Sequence, residues 1–363
     1  MLLTTVGAAL AAIHFGSALT YYAAAKRWLK RPWGLAAEDP ELPRVTVVVP
    51  TYNEARHIGE RLEDIYRQDY PHALMEVIVA DGASTDGTAE AAERWAERHP
   101  DLAVKVLRER ERRGKSASLN EALKAASGEV VVIADADARW APDALRRAVE
   151  KLRDPQVGAV TCVKRPAAGG PAGVEAAYRD YYNLLRVAES KKWATPIFHG
   201  ELAAFRRDLL EGIGGFPPGA DDSGAATAVA LMGYRAIAAD DVICVEAVPK
   251  GYWQWRVRRA QHLVDHFWRT LRRIGEAPPP FRPVLAAEAW LHLFNPWLLP
   301  ASIALLALAA ASGSLAAAAL LGLGAAATAS RQFRTWAAMQ IYLIAAALRN
   351  LKDKQYVWQK DDK

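Results

Sequence analysis

The stretch VVVIADAD, Val130 to Asp137, decides the fold of this chain. Its run of β-branched residues is typical of a strand that is buried on both faces of a parallel sheet. Two similar runs precede it, and helix-like segments lie between them. The other predicted elements are strands at Val45–Val49, Val77–Ala80 and Val104–Leu107 and helices at Ala55–Arg67 and Thr88–Arg98. This alternation predicts a doubly wound α/β domain with right-handed crossovers.

Polar and acidic residues follow three of these strands. The first strand ends in Pro50–Glu54, the second in Asp81–Thr88 and the third in Asp135-Ala136-Asp137. Ligands of open α/β sheets bind beyond the carboxyl ends of the strands, so we expect a site at this edge. Two carboxylates one residue apart can share Mg²⁺ or Mn²⁺, which completes its shell with water and substrate phosphates. A nucleoside diphosphate is the predicted partner.

The sequence contains no GxGxxG after the first strand and no GxxxxGK[ST], which argues against a Rossmann cofactor and a P-loop nucleotide.

Composition excludes several classes of protein. The 363 residues are 52% hydrophobic and 24% charged, which excludes a disordered chain and a mini-protein. The two cysteines, Cys162 and Cys244, exclude a disulfide framework and a CxxC metal site and suit a reducing compartment. The net charge of +5 is mild, and the arginines cluster in a few segments, so no nucleic-acid partner is predicted.

The first apolar segment, Leu2–Ala25, is long enough to cross a bilayer, which takes about 20 residues. Lys26, Arg27, Lys30 and Arg31 follow it. A cleaved signal peptide is the alternative, but it would carry its positive charges before the apolar core. The positive-inside tendency therefore predicts an N-terminus outside the cell membrane and a cytoplasmic domain after residue 27.

A second apolar zone lies between Val284 and Ala329. The turn Ser312-Gly313-Ser314 divides it into Pro296–Ala311 and Leu315–Ala329, which predicts a helical hairpin in the membrane. Trp336–Leu348 is predicted to lie at the interface, because a further crossing would carry Arg349, Lys352 and Lys354 outside. The alternative, the core of a soluble helical domain, conflicts with the monotony of Ala and Leu.

Five motifs together resemble those of the family 2 glycosyltransferases, whose catalytic domain has the GT-A fold. They are Pro50–Glu54, Asp81–Thr88, Gly114–Asn120, Gly128–Asp137 and Gly214-Gly215-Phe216. The likeness extends from Val45 to Gln261, and the flanking apolar segments are similar to the cellulose-synthase-like branch. The predicted organisation is a transmembrane helix at 1–27, a linker at 28–43, a GT-A catalytic domain at 44–250, an amphipathic interfacial region at 251–283, a transmembrane hairpin at 284–330, and an interfacial helix with a cytoplasmic tail at 331–363.

The resemblance implies roles on the donor side. The first-strand loop, with Thr51, Tyr52 and Glu54, and Asp81 would hold the nucleobase. Lys115 would lie beside the donor diphosphate, although the neighbouring arginines Arg108, Arg110, Arg112 and Arg113 also suit a solvated basic loop. Asp135 would lie near the ribose and share the divalent cation with Asp137. Asp86 is interpreted as the start of the next helix.

The resemblance also implies a general base. The family carries an acidic pair after Gly214-Gly215-Phe216, whose second member takes the proton of the acceptor hydroxyl. Asp221-Asp222 occupies this place, so Asp222 is the predicted base. Asp240-Asp241 is interpreted as capping or solvation at the start of a strand. Phe198–Glu201 corresponds to the acceptor-side loop, with Gly200 and Glu201 predicted there; Glu201 is unusual at this position.

The clearest departure from the family follows. Processive members carry QxxRW, in which the tryptophan stacks on the growing polymer, whereas this chain has Trp255-Arg256-Val257-Arg258-Arg259. Transfer of a single sugar is therefore predicted, with a shifted stacking platform at Trp255 left open. Trp253–Arg273 is a solvated helix face or, next to membrane spans, an interfacial helix. In the second case Arg258 and Arg259 would meet the phosphate or diphosphate of an acceptor.

These observations predict a membrane-anchored, inverting and metal-dependent glycosyltransferase. It would transfer one sugar, with mannose from GDP-mannose preferred to a UDP-sugar, to a glycan carried by a polyprenyl lipid. The alternatives are transfer directly to polyprenyl phosphate and processive or short-chain polysaccharide synthesis from a UDP-sugar. A haloacid-dehalogenase phosphatase would have Thr or Val where Arg139 stands and would carry DxD on its first strand. A non-catalytic sugar-nucleotide sensor would not need Asp222.

Overall fold

An eight-stranded sheet runs through the computed structural model, which describes residues 1–36, 41–166, 172–246 and 251–352. Residues 37–40 of the predicted linker and 353–363 of the predicted tail lie outside the described residues. The strands are β1 (Val45–Thr51), β2 (Met75–Asp81), β3 (Ala103–Arg108), β4 (Val130–Ile133), β5 (Ala138–Trp140), β6 (Val157–Pro166), β7 (Ala203–Arg206) and β8 (Arg235–Glu246). Their order across the sheet is β3-β2-β1-β4-β7-β6-β8-β5.

Helices cover both faces of the sheet and extend beyond it. They are α1 (Leu2–Leu29), α2 (Ile58–Tyr66), α3 (Thr88–Glu97), α4 (Lys115–Ala125), α5 (Ala144–Leu152), α6 (Ala172–Lys192), α7 (Arg207–Gly212), α8 (Asp221–Leu231), α9 (Tyr252–Leu271), α10 (Arg282–Ala289), α11 (Asn295–Ala311), α12 (Leu315–Ala327) and α13 (Arg331–Asn350). A π-helical segment, Trp290–Phe294, joins α10 to α11.

The first half of the sheet is parallel, as predicted. Val45 pairs with Met75 on one side and with Val130 on the other, and the register brings Thr51 level with Asp81. The apolar residues of β1 and β4 are buried because α2, α3 and α5 pack on one face and α4, α8 and α9 on the other. The carboxyl ends of β1, β2 and β4 therefore lie along one edge.

The second half of the sheet contains antiparallel pairs that the strand–helix alternation does not predict. β7 runs antiparallel to both β4 and β6, whereas β6 and β8 are parallel. The register of β8 jumps from Ala239 to Ile243, so Asp240 and Asp241 lie at a bulge inside the strand. The expectation that they begin a strand is wrong. Asp241 binds Lys151 at 2.7 Å, which gives it a structural role.

Two helical segments, Leu2–Leu29 and Arg282–Ala311, are long and apolar enough to cross a membrane. The first packs antiparallel to α11: the Ser302 hydroxyl donates to the Gly7 carbonyl oxygen at 2.7 Å, and His14 Nδ1 lies 3.0 Å from the Asn295 carbonyl oxygen. α11 and α12 form the expected hairpin around residues 312–314. α13 packs along α9 and also contacts α6 and α11.

Candidate active site

A cavity of about 330 Å³ opens where β1 and β4 end. The loops after these strands form one side, and α8, α9 and α13 form the other. Its lining includes the predicted residues Thr51, Tyr52, Glu54, Lys115, Asp135, Asp137, Gly200, Glu201, Asp221, Asp222, Trp255, Arg258 and Arg259. Among the described residues, Asp81 is the one predicted site residue that does not line it.

Asp81 fastens two loops behind the cavity wall. Its side chain is 3% exposed, and its carboxylate accepts hydrogen bonds from the hydroxyls of Thr51 at 3.1 Å and Ser84 at 2.5 Å. These hydrogen bonds fasten the end of β1 to the loop after β2. The contact of Asp81 with a nucleobase stays a prediction. In this structure its carboxylate is occupied by these two hydroxyls.

Asp86 has the structural role that the sequence predicts. One carboxylate oxygen accepts the backbone N–H of Thr88 at the start of α3, at 3.1 Å. The other accepts the N–H of Ala55 at the same distance.

Arg112 is a cavity residue to which the sequence assigns no role. Its guanidinium lies 3.6 Å from the centroid of the Tyr52 ring, and both side chains line the cavity. A guanidinium stacked on an aromatic ring forms a planar surface that suits a nucleobase. Four arginines stand close together between residues 108 and 113, so charge alone does not distinguish Arg112 from its neighbours.

Lys115 connects the loop after β4 with the start of α8. Its ammonium lies 2.8 Å from Asp135 Oδ1 and 3.1 Å from Asp221 Oδ2. Burial lowers the pKa of Lys115, but these carboxylates outweigh burial and hold the pKa well above its usual value. Gly200 is needed here, because an added Cβ would lie 2.6 Å from Lys115 Nζ and 3.0 Å from Asp135 Oδ2.

Asp135 and Asp137 fit a divalent cation. Both line the cavity, and the Lys115 ammonium beside Asp135 shows that a positive charge is stabilised at this position. Mg²⁺ and Mn²⁺ prefer oxygen ligands and often bind one or two carboxylates together with substrate phosphates. Within the described ranges no group of three or more potential ligand side chains occurs, so the protein alone would not complete the coordination shell.

The acidic pair Asp221-Asp222 begins α8 and faces the same space. Burial raises the pKa of Asp222, the Asp221 carboxylate raises it further and Lys115 opposes them, with a result of about 7. The N–H of Ser223 donates to Asp222 Oδ1 at 2.6 Å and fixes this carboxylate. A carboxylate with a pKa near neutrality is suited to general-base work.

Glu201 neutralises two cations on the opposite side of the cavity. It accepts hydrogen bonds from Lys164 at 2.6 Å and Arg259 at 3.0 Å, and both Glu201 and Lys164 are 1% exposed. Burial raises the pKa of Glu201, but the two cations outweigh burial and hold the pKa well below its usual range. Lys164 has no role in the sequence prediction, although a lysine after Cys162-Val163 in a buried strand was a signal.

Trp255 is enclosed by arginines. The guanidinium groups of Arg259, Arg256 and Arg179 lie 4.6, 4.9 and 6.0 Å from its ring, and the side chain is 1% exposed. The arginines over its ring leave little of it exposed in this structure, and a role of Trp255 as a shifted platform for a polymer end stays a prediction. Arg179 and Arg256 also line the cavity and were not among the predicted site residues.

The fold and this edge of the sheet define a glycosyltransferase of the GT-A type. Residues 46–214 match the sequence profile of glycosyl transferase family 2. The glycosyltransferase AglE of Haloferax volcanii is 32% identical over 249 residues, which cover 64% of this chain and 78% of AglE. The chain belongs to glycosyl transferase family 2, which confirms the predicted family and fold.

Two further proteins are similar to this chain. The dolichyl N-acetyl-alpha-D-glucosaminyl phosphate 3-beta-D-2,3-diacetamido-2,3-dideoxy-beta-D-glucuronosyltransferase of Methanococcus voltae is 30% identical over 121 residues, 32% of this chain and 37% of that protein. The solved structure of mannosyltransferase PcManGT from Pyrobaculum calidifontis, in complex with GDP-Man and Mn²⁺, is 61% identical with a TM-score of 0.90. It aligns with 97% of this chain and 100% of its own.

Proposed function

We propose that this protein transfers one mannosyl group from GDP-mannose to a lipid-linked glycan at a membrane surface, with inversion and with a divalent cation. The observation that carries the proposal is the Asp221-Asp222 pair in one cavity with Asp135, Asp137 and Lys115. The 61% identity to a mannosyltransferase in complex with GDP-Man and Mn²⁺ supports the donor and the cation. The Methanococcus voltae transferase, which is named for a dolichyl phosphate sugar, supports a lipid-linked acceptor.

In the proposed reaction Asp222 accepts the proton of the acceptor hydroxyl while its oxygen attacks the anomeric carbon. The bond from that carbon to the diphosphate breaks, and GDP leaves with the bonding electrons. Direct attack from the face opposite the leaving group gives inversion. Asp137 and Asp135 would hold the divalent cation, which would stabilise the negative charge that develops on the diphosphate.

Purified protein in detergent tests the reaction. It is incubated with radiolabelled GDP-mannose or with UDP-sugars and a polyprenyl lipid extract, with Mn²⁺ or with a chelator. Label from GDP-mannose should enter the organic phase with Mn²⁺ but not with the chelator. Label from a UDP-sugar, or label in a long water-soluble polymer, would contradict the donor or the single transfer.

Membrane anchoring is supported by the apolar segments Leu2–Leu29 and Arg282–Ala311. Trp290 and Trp297 are exposed near the start of α11 (Asn295–Ala311), where aromatic residues would suit a membrane interface. Lys26, Arg27, Lys30 and Arg31 at the end of α1 favour a cytoplasmic catalytic domain.

Cysteine labelling tests this orientation, because the native Cys162 and Cys244 are buried and give a low background. Ser312→Cys lies in the hairpin turn and Lys30→Cys at the opposite end of the spans. A membrane-impermeant maleimide should label Ser312→Cys in intact cells and Lys30→Cys only after permeabilisation. The reverse pattern would overturn the orientation, and equal labelling in intact cells would overturn the anchoring.

A further inference from the structure

The cavity is divided by charge into two halves. The donor half carries the carboxylates of Glu54, Asp135, Asp137, Asp221 and Asp222. The other half, here called the cationic wall, consists of Lys164 and Arg259, which pair with Glu201, and of Arg179 and Arg256, which share the Trp255 ring with Arg259. Among the residues that the structure describes, Glu201 is the carboxylate that pairs with this wall. The donor half suits a metal-bound nucleotide, so the wall suits a second anion.

The geometry of Arg256 supports this conclusion. Arg256 is 5% exposed, its Nε donates to the Tyr252 hydroxyl at 3.1 Å, and its guanidinium shares the Trp255 ring with Arg259. Burial and the positive charge of Arg259 lower the pKa of Arg256 to about 9. A negative charge beside Arg256 would oppose the effect of Arg259 on this pKa.

Trp255 provides a second, independent observation. Its indole N–H is buried in the cavity wall and has no hydrogen-bond partner in the part of the chain that the structure describes. Buried donors are nearly always paired in folded proteins, so an orphan donor at a cavity indicates a missing acceptor. The oxygen of a phosphate can fill this place.

Apolar side chains also line the cavity. They are Ala260 and Leu263 of α9 and Met339 and Leu343 of α13. α13 also contacts α11, which belongs to the apolar segment Arg282–Ala311. One cavity is thus lined by Asp222, by the cationic wall and by hydrocarbon side chains of a helix that contacts a candidate membrane span.

We infer that the cationic wall binds the phosphate or diphosphate of a polyprenyl-linked acceptor through Arg256, Arg259 and the Trp255 N–H. The first isoprene units lie against Met339 and Leu343. The inference rests on the proposed function for the reaction, but it assigns the recognised part of the acceptor, which is the junction of the lipid and its phosphate. The same anion chemistry is present in free diphosphate, and the two sources differ only in the hydrocarbon.

Calorimetric titration of the full chain in detergent separates these sources. With the donor site filled by GDP and Mn²⁺, the probes are farnesyl diphosphate, farnesyl phosphate, inorganic pyrophosphate and farnesol. Either farnesyl anion should bind at least tenfold more tightly than pyrophosphate and farnesol. Equal affinity for pyrophosphate would show a site for free diphosphate, and equal affinity for farnesol would show that no anion is recognised. Each result would overturn the inference.

Variants assign the contacts. Arg256→Gln should weaken binding of farnesyl diphosphate at least tenfold, and Arg256→Lys should weaken it less because the charge is kept. Trp255→Phe keeps a ring and removes the N–H, and should cost three- to tenfold. Leu343→Gln should weaken farnesyl diphosphate but not pyrophosphate. The matched control is Arg273→Gln, since Arg273 pairs with Glu276 on the surface.

Binding of GDP with Mn²⁺ should stay within twofold of wild type in all these variants, which shows that they fold. If Arg256→Gln weakened farnesyl diphosphate binding no more than Arg273→Gln does, Arg256 would not belong to the site. If the protein transfers mannose from GDP-mannose to a lipid extract while farnesyl diphosphate fails to bind, this inference is wrong and the proposed function stands. If farnesyl diphosphate binds but a UDP-sugar is the donor, the proposed donor is wrong and this inference stands.

Discussion

Substitution of Asp222 by Asn removes the proposed base and keeps the size of the side chain. General-base catalysis contributes about 10²- to 10⁴-fold, so kcat should fall by that factor, or about 3–5 kcal/mol. GDP binding should not change, because Asp222 is proposed to contact the acceptor hydroxyl and not the nucleotide. The assay is GDP release at saturating GDP-mannose, Mn²⁺ and lipid acceptor.

The pH profile gives a sharper test. The base acts when deprotonated, and the pKa of Asp222 is about 7. At pH 5 roughly 1% of it is deprotonated, so kcat should rise about ninefold from pH 5 to 6, about fivefold from pH 6 to 7 and then level off. An aspartate at its ordinary pKa of 3.8 would be roughly 94% deprotonated at pH 5 and would give a flat profile.

Asp221→Asn separates two causes of the raised pKa of Asp222, burial and the negative charge of Asp221. The Asp221 carboxylate raises the pKa of Asp222, so its removal should shift the acid limb to lower pH. Asp240→Asn is the control, since Asp240 is exposed at the bulge of β8. A flat wild-type profile from pH 5 to 8, or an Asp222→Asn protein with more than a tenth of wild-type kcat, would refute the assignment of the base.

Further predictions concern the two sides of the cavity. Glu201→Gln leaves the buried Lys164 ammonium without its carboxylate and should lower the free energy of unfolding by about 3–5 kcal/mol, measured by denaturant titration in detergent. Gly200→Ala should displace Lys115 and Asp135 and lower kcat at least tenfold, while the denaturation midpoint changes little because both neighbours are ends of side chains. A chelator should abolish mannosyl transfer and excess Mn²⁺ should restore it; transfer that survives chelation would contradict metal dependence.

The parallel half of the sheet could be predicted because its signal is local. A strand buried on both faces must be a continuous apolar run, and Val45–Val49 and Val130–Ile133 are such runs. The polar residues after them reach the same edge by the geometry of parallel pairing. The candidate donor side could therefore be located from short segments of sequence.

The cationic wall could be predicted only in part. Arg259 and Glu201 were expected on the acceptor side, whereas Lys164, Arg179 and Arg256 were not, because the contacts of the wall are distant in sequence. Glu201 is 37 residues from Lys164 and 58 from Arg259. Arg256 is one of many arginines in α9, and only packing against Trp255 and Tyr252 buries it. The antiparallel strand β7 has four residues, too few for a periodic signal.

In the proposed function, the division of charge would meet two opposing requirements, one from substrate binding and one from catalysis. Both proposed substrates carry phosphate, and a uniformly basic cavity would bind them. Such a cavity would also lower the pKa of Asp222, as Lys115 does, and would weaken the base. Glu201 belongs to the cationic wall, where it pairs with Lys164 and Arg259, and it follows Gly200, which lies at the Asp135 carboxylate. On the proposed roles, this carboxylate would hold the two cations on the acceptor side, where they would bind the second anion without lowering the pKa of Asp222.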